Sequence, residues 1–122
     1  MPAQNQVVAI IDDDMSMLNG LSRLLNISGF QTERFSSAEA FLGSMAVSRA
    51  TCLVLDIQLS GMSGIELRRR LLEAGSKLSV IFMTGIDDEM LHRNAMQAGC
   101  VALLHKPFPA SLLVSAIAKA SA

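Results

Sequence analysis

Five short apolar runs alternate with segments of helical period along the whole chain, with no linker or low-complexity stretch between them. Such alternation restricts a chain of this size to layered α/β architecture, because each run has to be covered by the helices that flank it. The runs are Val7 to Ile11, Gln31 to Phe35, Thr51 to Leu55, Leu78 to Met83 and Val101 to Leu104. Three of the five are apolar nearly throughout, as expected for strands covered on both faces of a parallel sheet. Gln31 to Phe35 alternates instead and suits an edge strand. With 122 residues and 51% hydrophobic side chains, the chain fits one compact domain with its own core.

The intervening segments carry helix signals. Met15 to Ile27 sets Leu18, Leu21 and Leu25 on one face, with Asp14 as N-cap and Gly29 as the stop. Ser36 or Ser37 caps a second helix ending near Met45. Ser63 opens a third, in which Leu67, Leu71 and Ala74 recur before Gly75. A fourth runs from Asp87 or Asp88 to Ala98, stopped by Gly99, and Pro109 starts a fifth that reaches about Ala120. Right-handed crossovers then give an open, doubly wound five-stranded parallel sheet with helices on both faces. Ligands of such sheets bind at the carboxyl ends of the strands.

At that edge the polar residues gather: Asp12, Asp13 and Asp14 after the first strand, Asp56 after the third, Thr84 after the fourth and Lys106 after the fifth. For a sheet of order 2-1-3-4-5, as in flavodoxin-like folds, the first and third strands are neighbours at the switch point, so Asp12, Asp13 and Asp56 would converge. Clustered carboxylates repel one another unless a cation joins them. Together with Lys106 they carry a formal charge of −2, which one divalent ion neutralises. Oxygen ligands completed by water suit Mg²⁺, or Mn²⁺, rather than zinc. Metal and lysine together would offset the charge of a phosphoryl group while Thr84 donates to it. Neither G-x-G-x-x-G nor G-x-x-x-x-G-K-[ST] occurs, which removes dinucleotide and P-loop sites. Asp14 reads as a helix cap rather than a ligand.

Ile11-Asp12-Asp13-Asp14, Leu55-Asp56-Ile57-Gln58-Leu59 with Gly64 downstream, Phe82-Met83-Thr84-Gly85 and Lys106-Pro107-Phe108 are each weak motifs. In this order and at these spacings they are specific, and over essentially its full length the chain resembles the receiver domain of bacterial two-component response regulators, with the flavodoxin-like fold. Arg34-Phe35-Ser36-Ser37-Ala38-Glu39-Ala40-Phe41-Leu42 and Met62-Ser63-Gly64 look like the nitrogen-fixation regulator (FixJ) branch. The resemblance implies that Asp56 is a nucleophile taking a phosphoryl group from a histidine kinase or phosphotransfer protein. It implies Mg²⁺ held by Asp13 directly, by Asp12 mainly through water, by Asp56 and by the backbone carbonyl of Gln58. Thr84 would move toward the phosphoryl oxygen, Lys106 would pair with it, and the Lys106-Pro107 bond would be cis. Phosphorylation would shift the face formed by the fourth helix, fifth strand and fifth helix, controlling an output domain, a second receiver or another partner, with transcription the output that the branch suggests. The chain would be an acceptor with slow autodephosphorylation, not a turnover enzyme.

Three departures qualify the likeness. Leu103 stands where the family often has Tyr or Phe, whose ring rotates inward during switching. Ser60 replaces the proline common after the acceptor loop, which leaves that loop freer. Gln58 and Ile86 occupy positions that tune hydrolysis of the acyl phosphate. A receiver-like interaction module working unphosphorylated is the alternative. A haloacid-dehalogenase-type hydrolase ranks last, since it wants an acid where Gln58 stands.

The remaining features are quieter. A net charge of −1 argues against nucleic-acid binding by this domain. No apolar run spans a bilayer and no signal peptide opens the chain, so a soluble, cytoplasmic protein is expected. The domain is taken as 1–122, with any output domain beyond residue 122. Cys52 and Cys100 form no CxxC pair and are expected to be buried free thiols. Arg68-Arg69-Arg70 reads as a solvated helix face, with Glu66–Arg70 and Arg69–Glu73 pairs. His92 and His105 have no cysteine or acidic partner at ligand spacing. On the fifth helix Leu113, Ala116, Ile117 and Ala120 form a core face, while Leu112, Val114 and Ala118 lie off it, where they suit a contact surface.

Overall fold

The computed structural model describes residues 6–120. Ten elements alternate: β1 (Val7–Ile11), α1 (Met15–Ile27), β2 (Gln31–Phe35), α2 (Ala38–Gly43), β3 (Cys52–Asp56), α3 (Gly64–Glu73), β4 (Ser79–Thr84), α4 (Glu89–Ala98), β5 (Ala102–His105) and α5 (Ala110–Ala120). All strand pairs are parallel, and the order is β2-β1-β3-β4-β5.

Alternation of side chains along the strands divides the core in two. Val8, Ile10, Cys52, Val54, Ile81, Met83 and Leu104 face α1 and α5, meeting Leu18, Leu21, Leu25, Leu113 and Ile117. Ala9, Ile11, Leu53, Leu55, Val80 and Phe82 face the other way, onto Phe41 of α2, Leu67 and Leu71 of α3, and Ala95 and Ala98 of α4. β1 and β3 are buried at every position, whereas β2 pairs with β1 alone and keeps Gln31 and Arg34 exposed, as an edge strand does.

The helix signals resolve cleanly at their starts. Asp14 caps α1 by accepting from the Ser16 and Met17 amides, Ser37 caps α2, Ser63 caps α3 and Asp88 caps α4. Gly29 and Gly99 follow α1 and α4 at φ of 100° and 92°, a region that side chains with a Cβ avoid. Several ends differ from expectation. α2 closes at Gly43 rather than near Met45, because the Ser44 and Met45 amides turn back onto Phe41 and Leu42 in single turns. β3, β4 and β5 each lie one residue later than their apolar runs, so Asp56, Thr84 and His105 are the last residues of strands. Pairing decides this: Asp56 stays in register with Met83, and Thr84 with His105.

Cys52 is buried and Cys100 half-buried, and both are free thiols. Burial pushes the Cys52 thiol up to about 12, so it is an inert packing group. The arginine run is not one solvated face. Arg70 and Arg69 both pair with Glu66, at 3.4 and 4.0 Å, so the expected Arg69–Glu73 pair does not form. Arg68 turns inward, donating from Nε to the Gly99 carbonyl at 2.9 Å and from Nη1 to the Leu78 carbonyl at 3.1 Å. The core face of α5 is as expected, with Leu112 exposed and Val114 packed at the edge of the α1/α5 core. No helix among the described residues is long and apolar enough to cross a membrane.

Candidate functional site

The carboxyl edge of the sheet carries the acidic residues because apolar strands stop there. Asp12 follows β1 directly and its amide donates to the Phe35 carbonyl at the end of β2. Asp56 ends β3, and the Ile57 amide continues the ladder to Met83. Carboxylate oxygens of Asp12, Asp13 and Asp56 all lie within 4.8 Å of one another. Asp12 and Asp56 are buried and Asp13 is exposed, so the cluster opens to solvent on Asp13's side.

Lys106 binds two of the three carboxylates. Its Nζ donates to Asp12 Oδ2 and to Asp56 Oδ2, both at 3.0 Å. The Lys106 amide also donates to the Thr84 carbonyl at 2.7 Å, which fixes the lysine beside the end of β4. The Lys106-Pro107 bond is cis, as the resemblance implied. The remaining oxygens of the two buried acids are held by the backbone: Asp14 N–H donates to Asp12 Oδ1 and Gln58 N–H to Asp56 Oδ1.

Burial pushes the Asp56 carboxyl above its ordinary value, and Asp12 adds to this, while Lys106 and the Gln58 amide only partly offset them. For Lys106, burial alone would lower the ammonium, but its bonds to Asp56 and Asp12 and their charges outweigh it, and the net direction is upward. The two partners differ because burial dominates at Asp56, whereas at Lys106 the bonds and charges of two carboxylates outweigh it. One lysine does not neutralise this cluster.

Thr84 is fully buried, and its hydroxyl donates to Gln58 Oε1 at 3.0 Å while accepting from the Ile86 amide at 3.0 Å. Gln58 and Ile86, flanking positions in the sequence reading, are therefore the direct partners of Thr84. Ser60 was missed. Its N–H and hydroxyl donate to Asp13 Oδ2 at 2.9 and 3.1 Å. The expected freer loop is thus anchored, and by an N–H that the proline common at this position would lack. Gly64 has a reason beyond the turn: a Cβ there would run into the Asp56 backbone carbonyl, so a small residue lets α3 start against the end of β3.

The donor set fits a hard divalent cation. It holds carboxylate oxygens, one of them solvent-facing, around a net negative charge that the single lysine leaves uncompensated. Leu103 is half-buried and packs against the α2–α4 side of the core. His92 and His105, expected to stand alone, come together with Asp87: one ligand atom from each lies within 4.8 Å of the others.

Residues 8–118 match the family model described as the response regulator receiver domain. The chain belongs to that family. Among similar proteins, the response regulator protein TmoT of Ectopseudomonas mendocina is 37% identical over 96% of this receiver and 53% of its own length. The transcriptional regulatory protein FixJ of Bradyrhizobium diazoefficiens is 36% identical over 93% of this receiver and 55% of its own length. This receiver thus spans about half the length of the curated relatives it matches. The crystal structure of FixJ-N superposes with a TM-score of 0.89 at 35% identity, covering 95% of this receiver and 93% of that chain. The strand order and the likeness to FixJ both agree with the sequence reading.

Proposed function

We propose that this receiver is a phosphoacceptor: Asp56 takes a phosphoryl group from the phosphohistidine of a histidine kinase or phosphotransfer protein, in a Mg²⁺-dependent reaction. The observation that carries the proposal is the convergence of Asp12, Asp13 and Asp56 with Lys106 Nζ bridging Asp12 and Asp56 at 3.0 Å. Catalysis of this transfer is mainly positioning and charge stabilisation.

Asp56 is the nucleophile. Its Oδ1 is aimed by the Gln58 amide and its Oδ2 by Lys106, so the carboxylate is held in one orientation before the donor arrives. An oxygen lone pair of Asp56 forms the O–P bond as the N–P bond of phosphohistidine breaks. The departing imidazole nitrogen keeps that electron pair and takes up a proton. Lys106 transfers its hydrogen bond from the carboxylate to a phosphoryl oxygen, and the Thr84 hydroxyl exchanges Gln58 Oε1 for another. Asp12, Asp13, Asp56 and the Gln58 backbone carbonyl would hold Mg²⁺. When bound, the ion offsets the charge of the carboxylates and the incoming phosphoryl oxygens.

The signal is the new position of Thr84. Its strand neighbour in β5 is His105, and the segment after it leads into α4, so recruiting its hydroxyl biases the α4–β5–α5 face. Met90 of α4 and Leu112 of α5 expose apolar surface there, 61% and 50% respectively, suited to an output domain or a second receiver. Relatives named as transcriptional regulators make transcription the output we assign. Leu103 offers no aromatic ring to rotate inward, so ring rotation is not part of the proposed switch. Each chain takes up one phosphoryl group, and hydrolysis of the acyl phosphate resets it.

Intact mass after incubation with acetyl phosphate tests this. Gain of one phosphoryl group by the wild type with Mg²⁺, and by neither Asp56→Asn nor the metal-free control, is expected. No gain from acetyl phosphate or from a cognate kinase would support instead an interaction module that works unphosphorylated.

A further inference from the structure

We infer that Asp87, His92 and His105 form a second cation site, for a borderline transition ion such as Zn²⁺, on the α4–β5 face. The three residues come from separate places: Asp87 from the loop after β4, His92 from the first turns of α4, and His105 from the end of β5. One ligand atom of each lies within 4.8 Å of the other two. The imidazole rings are 5.9 Å apart between centroids and tilted by 53°, not stacked.

A second observation points to a missing partner. His92 Nε2 is buried and has no hydrogen-bond partner, the one side-chain nitrogen or oxygen among the described residues in that condition. A buried polar atom with no partner costs about 1–3 kcal/mol, so this imidazole is held in place by something other than its own bonding. The capping of α4 falls to Asp88, and Asp87 makes no side-chain hydrogen bond or ion pair among the described residues.

The chemistry of the set selects the ion. Two imidazoles and one carboxylate are the three-ligand pattern of open zinc sites, with water in the fourth position. At metal–nitrogen distances of about 2.0–2.1 Å, tetrahedral ligands stand about 3.3 Å apart. The candidate ligand atoms already lie within 4.8 Å of one another, and Asp87 and His105 are exposed, with room to turn toward an ion. Imidazole nitrogen favours Zn²⁺, Ni²⁺ or Cu²⁺ over Mg²⁺, whereas the Asp12–Asp13–Asp56 cluster is all oxygen. The two sites therefore select different ions. An ion held here ties the start of α4 to the end of β5, one strand neighbour away from Thr84.

Zn²⁺ titration by calorimetry, on untagged protein in excess Mg²⁺ to fill the acidic cluster, tests the inference. One Zn²⁺ per chain is expected for the wild type, with affinity reduced by at least about 100-fold in His105→Gln and clearly reduced in Asp87→Asn. Both residues are exposed, and far-UV circular dichroism checks that each variant is folded. Co²⁺ in place of Zn²⁺ gives a separate readout, a four-coordinate visible spectrum lost in the same variants. Absence of Zn²⁺ binding in the wild type, or binding unchanged in both folded variants, overturns the site.

Discussion

Asp56 is held in the folded protein at an electrostatic cost. Burial and the Asp12 carboxylate raise its pKa above the ordinary aspartate value, so the folded chain holds the proton more tightly than the unfolded chain does. Stability then falls as pH rises from the ordinary value, about 3.9, through the raised one, and above both the penalty is constant. Asn at 56 removes the penalty while Lys106 keeps its bond to Asp12. In metal-free urea unfolding, Asp56→Asn should be more stable than the wild type at neutral pH, with the difference vanishing below the ordinary aspartate value. A variant less stable at neutral pH would mean that the Lys106 bond outweighs burial. At this scale the placement of Asp12, Asp13, Asp56, Thr84 and Lys106 at one edge was legible, because each stands within two residues of the end of an apolar run. Ser60 and the Gln58 side chain gave no such signal. Their partners, Asp13 and Thr84, lie 47 and 26 residues away, and only the folded sheet edge brings them together.

Among the helices, α3 shows why a charge run cannot be read from spacing alone. Arg69 and Arg70 stay on the outer face and share Glu66, whereas Arg68 reaches over the sheet end to the carbonyls of Gly99 and Leu78. It thereby links α3 to the entry of β4 and the exit of α4. Arg68→Met, which keeps the stem and removes both charged hydrogen bonds, should cost about 1–3 kcal/mol in chemical denaturation. Arg69→Ala should stay within about 0.5 kcal/mol, as expected of an exposed pair. Equal effects from the two would contradict the division. Helix starts were legible at Asp14 and Ser63, and to within one residue at Ser36 or Ser37 and at Asp87 or Asp88, of which Ser37 and Asp88 form the caps, because capping is a local interaction. Strand ends were not, since the ladder that carries Asp56 and Thr84 one residue further is set by β4 and β5.

Across the molecule, the order β2-β1-β3-β4-β5 puts β1 and β3 side by side, and this adjacency makes one site of Asp12, Asp13 and Asp56. The alternation of apolar runs and helical periods implied a doubly wound parallel sheet, while its order came with the flavodoxin-like fold rather than from the alternation. The same topology places His105 beside Thr84 and within reach of His92 and Asp87, a gathering spread over 19 positions that spacing could not reveal. The ends of β1, β3, β4 and β5 thus meet at one edge of the sheet, where the proposed acceptor stands beside the face that would report its state. Identifying the phosphorylated residue addresses this most sharply. After phosphorylation with Mg²⁺ present, borohydride reduction of the acyl phosphate converts the modified aspartate to homoserine, which peptide mass spectrometry locates. Homoserine at position 56 is the predicted result; homoserine at position 12 or 13, or phosphate carried on His92 or His105, would contradict it.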